Sequence, residues 1–185
     1  LQGQAVGVCV GTTVGCSLNI DDFHRDYYGG QTPDTANVHR FFRSNPADAI
    51  ARDSGVAGPR QTIANACAAG TDAIGTALGW IRQGRCRIAL AGGADGLCRT
   101  TYNGFAGLMI SSPEPCTPFA AQRNGLNLGD GAAMLVLRAV DDVNGASVQG
   151  YVMGYGSGVD AHHLTAPHPD GVGLRRALEL ALADA

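Results

Sequence analysis

Lysine is absent from this chain; all thirteen basic residues are arginine. These residues therefore cannot supply a Schiff-base amine or a Walker A phosphate loop. G-x-G-x-x-G does not occur either, so Gly11-Thr12-Thr13 and Gly15, which follow an early apolar run, read as close backbone packing rather than a dinucleotide loop. Six cysteines fall at irregular spacings with no C-x-x-C pair, which argues against a disulfide framework and a zinc ribbon. No secretory signal pattern is visible, so reduced thiols and a cytoplasmic location are expected. No apolar run reaches the roughly 18 residues of a membrane span. With a net charge of -3 and its arginines scattered, the chain shows no basic stripe for nucleic acid.

What is present suits one globular unit with a real core: 185 residues, 45% hydrophobic and 16% charged. Twenty-seven glycines and abundant alanine point to tight corners and close layer packing, as in layered α/β folds. Val6 to Val10 reads as a buried strand. Asp21 to Tyr28 reads as a short helix, and Ala36 to Ser54 as a helical region broken near Pro46, with Ser44 or Asn45 as cap. Leu97 to Ser112 shows apolar residues at roughly helical spacing interrupted by Gly104 and Gly107, and takes no firm assignment. Pro113 to Gly131 is a long irregular stretch, which in a compact domain usually has a function or a packing role. Ala132 to Arg138 and Val148 to Tyr155 read as strands, Asp141 to Gly145 as a turn, and Leu174 to Leu182 as part of a closing amphipathic helix.

The chain is organised around Gln61 to Gly75. An apolar approach, Thr62-Ile63-Ala64, runs into Ala66-Cys67-Ala68-Ala69-Gly70 and then into the helical pattern Asp72, Ile74, Ala77, Leu78, Ile81. Gly84 stops that helix, and Arg87 to Ala91 reads as a strand ending at Gly92-Gly93. Strand, helix and strand within about thirty residues make a βαβ unit, with parallel strands and a ligand site at their carboxyl ends. A thiol at such a corner meets unpaired backbone N–H groups and the positive end of the helix dipole. Both favour thiolate and can hold a developing oxyanion, so Cys67 is the candidate nucleophile. Its alternative is a buried core cysteine. Arg82, Arg85 and Arg87 are read as decorating an exposed helix end. His162, His163 and His168 lack proper zinc spacing, so no metal is expected.

Three stretches together resemble the β-ketoacyl synthase family, the condensing enzymes of fatty-acid and polyketide assembly. They are Asn65-Ala66-Cys67-Ala68-Ala69-Gly70 with Ala73-Ile74; Cys116-Thr117-Pro118-Phe119 with Arg123-Asn124-Gly125 and Leu128-Gly129-Asp130-Gly131-Ala132-Ala133; and Asp160 to Pro167. Gly92-Gly93-Ala94-Asp95 also matches. The resemblance implies a thiolase-like α/β/α/β/α fold in two related halves, with this chain supplying most of the first half and the start of the second, near residue 148. It implies a homodimer or a ketosynthase heterodimer, an acyl carrier protein bearing phosphopantetheine-bound acyl and malonyl groups as partner, and no cofactor.

By the same resemblance Cys67 accepts the acyl group, Phe105 lies beside it at the acyl pocket, and Thr165 hydrogen-bonds the pantetheine arm. Arg123 and Asp130 are expected to fix the long loop. The family's two catalytic histidines, its lysine and its glycine-rich second oxyanion segment fall in a part of the family's sequence beyond these residues, so the chain is expected to be a fragment. Ala120 stands where an aspartate is common. A non-catalytic chain-length-factor-like partner subunit and a coenzyme A-dependent thiolase are the alternatives.

Overall fold

The computed structural model describes residues 5–43, 45–143, 145, 147–163 and 165–185. Ser44 of the expected cap pair, Asn144 of the expected turn and Leu164 of the third motif lie outside the described residues. Four strands form one mixed sheet in the order β2-β1-β3-β4: β1 (Val6–Thr12), β2 (Arg60–Ala64), β3 (Ile88–Asp95) and β4 (Gly131–Arg138). β1 runs parallel to both β2 and β3, with Cys9 opposite Gln61 on one side and Ala91 on the other. β4 pairs antiparallel with β3, from Asp95 opposite Gly131 to Ile88 opposite Arg138. The expected βαβ unit is therefore present as β2, α4 (Ala69–Arg82) and β3, with its strands parallel and β1 inserted between them.

Alternation along β1 gives it two different buried faces. Val6, Val8 and Val10 join Ile88, Val56 and the alanines Ala47 and Ala51 of α3 (Pro46–Asp53). Each fully buried valine contributes about 1.5–3 kcal/mol. Cys9 faces the other way, with Ala89 and Ala91 of β3, against Ala73, Ala77 and Trp80 of α4. Apart from Trp80, that second face is built mainly from small residues, which lets the start of α4 lie close to the strands. A Cβ on Gly11 would come 2.2 Å from the carbonyl of Ala69.

Local signals set most element boundaries. α1 (Asp21–Tyr28) carries two aspartates in its first turn, where the helix dipole favours them. A short helix, α2 (Ala36–Arg43), precedes α3. Asn45 caps α3 by accepting the N–H of Ala47 at 3.0 Å, with Pro46 in the first turn. Gly84, at φ 69°, terminates α4. The unassigned stretch after Leu97 contains α5 (Arg99–Gly107), whose N-cap is Cys98, paired with Thr101 in a capping box. Cysteine is not among the usual capping residues, and this hid the start of α5. The closing helix is α6 (Val172–Asp184).

One expected strand is corrected. Residues 148–155 join no ladder among the described residues. Their apolar alternation predicts a half-buried surface, but a strand also needs a hydrogen-bonding neighbour. Here the segment lies against a helix: Cβ atoms on Gly154 and Gly156 would stand 2.3 Å and 2.2 Å from the carbonyl oxygens of Ala181 and Ala177 in α6. The basic group at the end of α4 is structural. Arg82 pairs with Asp184 at 2.7 Å, Arg87 with Asp141 at 2.7 Å, and Arg85 lies 5.5 Å from the Trp80 ring. Among the described residues, no helix is long and apolar enough to cross a membrane.

Candidate functional site

The parallel strands β1 and β3 end at the same rim, and the antiparallel β4 begins there. Between β2 and α4 the chain turns through Asn65 (φ -131°, ψ 44°) into a single 3-10 turn, Ala66–Ala68, whose middle residue is Cys67. Ala66 holds φ 45°, a left-handed conformation uncommon for a residue with a side chain. The corner is closed by the Ala68 N–H donating to the Asn65 carbonyl at 3.2 Å. Strain beside a functional group is a known way to aim it.

Cys67 is exposed and opens on a cleft of about 440 Å³. The cleft is lined by Gly11 and Thr12 at the end of β1 and Thr13 just after it, by Gly93 to Asp95 at the end of β3, and by Gly129 to Gly131 at the start of β4. Glycines and alanines around the thiol leave backbone groups accessible, as close approach of a carbonyl substrate requires.

Asp95 organises the wall opposite. One of its oxygens accepts the Thr12 hydroxyl at 2.9 Å and the Thr13 N–H at 2.8 Å; the other accepts the Thr13 hydroxyl at 2.9 Å. Asp130 accepts the N–H of Leu97 and so fixes the end of the long loop, as expected for it. Asn127 pins the same loop: its side-chain oxygen accepts the Cys116 N–H at 2.7 Å, while its amide group donates to the carbonyls of Ser112 and Glu114 at 3.0 and 3.2 Å. Among the described residues, the Arg123 side chain bonds only locally, to the Ala120 carbonyl at 3.2 Å.

The other candidate residues stand elsewhere. Phe105 is half-buried on α5 and does not line the cleft around Cys67. Thr165 is exposed in the loop before α6, where its N–H donates to the His163 ring at 3.1 Å. The rings of His162 and His168 lie 4.8 Å apart, and Asp160 accepts the backbone N–H groups of both residues at 3.1 and 2.9 Å. Those bonds hold the Asp160 carboxyl below the usual carboxylate range. Among the described residues, no cluster of three or more histidine, cysteine or acidic side chains could hold a metal ion.

Cys67 is exposed, whereas Cys9, Cys86 and Cys98 are buried. Burial pushes the Cys9 thiol up to about 11. The Cys86 thiol is also raised by burial, against the opposing pull of the Gly7 N–H and Arg85. Sequence reading missed the Thr12, Thr13 and Asp95 wall. Its signal was a pair of hydroxyl residues directly after a glycine at a strand end, facing an acid at the end of the neighbouring strand.

The profile of the family described as "Beta-ketoacyl synthase, N-terminal domain" matches residues 1–143. The 3-oxoacyl-[acyl-carrier-protein] synthase 2 of Synechocystis sp. is 30% identical over 196 residues, an alignment covering 100% of this chain and 47% of that protein. A solved ishigamide ketosynthase/chain length factor superposes with TM-score 0.89 at 34% identity, covering 100% of this chain and 47% of its own. A type II polyketide synthase acyl-carrier protein in complex with its ketosynthase bound to the hexaketide gives TM-score 0.87 at 27% identity, with coverage of 100% and 49%. The chain thus spans about half the length of the relatives it matches. The expected thiolase-like α/β class agrees with these superpositions.

Proposed function

Because this chain belongs to the β-ketoacyl synthase family, through the N-terminal domain its residues match, we propose that the protein it forms part of is an acyl-carrier-protein-dependent condensing enzyme. Cys67 is its acyl acceptor. The thiolate of Cys67 attacks the thioester carbonyl of an acyl carrier protein, the carrier's phosphopantetheine thiol leaves, and the acyl group remains on the cysteine. Malonyl carrier protein then loses carbon dioxide. Its carbanion attacks the cysteine thioester, expelling the Cys67 thiolate and leaving a 3-oxoacyl chain two carbons longer on the carrier.

The observation that carries this reading is the exposed sulfur in a strained corner, facing a cleft at the shared rim of two parallel strands. A corner leading into a helix supplies main-chain N–H groups where the oxyanion of each tetrahedral adduct develops. In this reading Phe105 borders the acyl chain and Thr165 holds the pantetheine arm. Both would act in the complete protein, where the second half of the fold begins near residue 148. The functional unit is a homodimer or a ketosynthase heterodimer of the cytoplasm and needs no cofactor.

The test is mass spectrometry of the full-length protein after incubation with an acyl carrier-protein thioester. The acyl group should be found on Cys67. Acylation of other cysteines, with Cys67 left unmodified, refutes the proposal.

A further inference from the structure

A second network converges on the Cys67 corner from behind. Asp72, in the first turn of α4, accepts the side-chain amide of Asn65 on one carboxylate oxygen at 2.5 Å and the hydroxyl of Tyr155 on the other at 2.6 Å. Asn65 is the residue at which the chain leaves β2, and its carbonyl closes the turn that contains Cys67. No hydrogen bond among the described residues reaches the Cys67 sulfur itself. Its placement therefore depends on the backbone on either side. On the helical side Ala69 is seated against Gly11; on the strand side the anchor is Asn65.

Tyr155 is held firmly enough to serve as the far end of this anchor. Its ring lies across Gly75, where a Cβ would come 2.3 Å from the ring carbons, so only glycine lets the hydroxyl reach Asp72. Its backbone N–H donates at 2.9 Å to Asp184, which Arg82 also engages at 2.7 Å. The segment around residue 155 is thus fixed to both ends of α4. Burial and the bond to Asp72 both raise the Tyr155 phenol, which keeps it the donor.

We propose that Asp72 is a positioning residue for Cys67, clamping Asn65 through one oxygen and Tyr155 through the other, so that the segment around residue 155 sets the geometry of the nucleophile corner. This inference rests on the reading of Cys67 as acyl acceptor only for its catalytic consequence. The clamp itself concerns only the geometry of the corner. Two charge-assisted bonds on separate oxygens fix the carboxylate plane, and with it the Asn65 side chain. A displacement of about 1 Å at a reacting atom costs on the order of a hundredfold in rate.

The test uses the full-length protein in two arms. In the first, Cys67 is labelled with bromotrifluoroacetone in a Cys116→Ser background, and its fluorine resonance is identified by its loss in Cys67→Ser. The parent should give one sharp line; Tyr155→Phe, Asn65→Ala and Asp72→Ala should give broadened or multiple lines. Asp72→Asn should stay near the parent, because an Asn65 amide turned over can pair with it. In the second arm, the rate of Cys67 acylation should fall about ten- to a hundredfold in the first three variants, with KM for the carrier protein unchanged. A single parent-like line and parent-like acylation in folded Tyr155→Phe and Asn65→Ala overturn the clamp. Were the parent never acylated at Cys67 while the fluorine lines split as expected, the proposed function would fail and the clamp would stand.

Discussion

Gly11 and Ala69 meet with no side chain between them: a Cβ built on the strand glycine would lie 2.2 Å from the helix carbonyl. The obstacle is backbone, so no rotamer change can absorb it, and Gly11→Ala must push the start of α4 off the sheet. Overpacking of this kind costs about 1–3 kcal/mol. The variant should show a lowered urea midpoint together with slowed acylation of Cys67, since the corner moves with the helix. An unchanged midpoint would mean that α4 is not seated as described.

Cys67 itself carries no packing role. Its side chain is exposed, so Cys67→Ala should change stability by no more than about 0.5 kcal/mol. Acyl-enzyme formation should disappear altogether. Retention of full pathway flux by this variant would favour the chain-length-factor-like alternative.

Asp95 offers a graded test of the cleft wall. Asp95→Ala strands three donors from Thr12 and Thr13, and loss of bonds to a charged acceptor costs about 1.5–3 kcal/mol. Asp95→Asn keeps one acceptor oxygen, and the Thr13 hydroxyl can reverse to accept, so its cost should stay below about 1 kcal/mol. Equilibrium denaturation of the pair reads the difference.

The buried thiol of Cys9 predicts an alkaline limit. Its folded value, about 11, stands above the ordinary 9.0, so the fold favours the neutral thiol. That stability is complete below pH 9 and is lost as pH rises through about 11; Cys86 adds in the same direction. Denaturation midpoints measured at pH 8 and pH 10.5 should fall with pH, and less steeply in Cys9→Ala.

Asn45 closes the N-terminal end of α3 by accepting the N–H groups of Ala47 and Asp48 and the hydroxyl of Thr62. Asn45→Ala should cost about 1 kcal/mol by thermal melting. Asn45→Asp should recover most of that cost, because a carboxylate caps equally well and suits the dipole.

Where the chain carried a periodic signal, the architecture was legible from its residues. Val6 to Val10, the helix after Cys67 and the stop at Gly84 are each dictated by local chemistry, and the structure shows all three. Residues 148–155 were misread because apolar alternation reports half-burial without naming the neighbour, and here the neighbour is α6. α5 was obscured by its cysteine cap and by two glycines at Gly104 and Gly107. At the site, the corner around Cys67 was legible. The Asn65, Asp72 and Tyr155 arrangement was not, since Asp72 and Tyr155 are 83 positions apart and nothing local links them. The insertion of β1 between β2 and β3 was equally hidden, because helix crossovers fix direction but not order.

The reversed direction of β4 decides where the long irregular stretch must deliver the chain. Gly131 enters the sheet opposite Asp95, at the rim that Cys67 occupies, and Arg138 leaves it opposite Ile88. Had β4 run alongside β3 in the same sense, its first residue would enter roughly 25 Å away, one strand length, at the far rim. Gly129 and Asp130 border the thiol as a matter of topology, and a lengthened or shortened 113–130 segment would reshape the mouth of the cleft without touching the strands that support it.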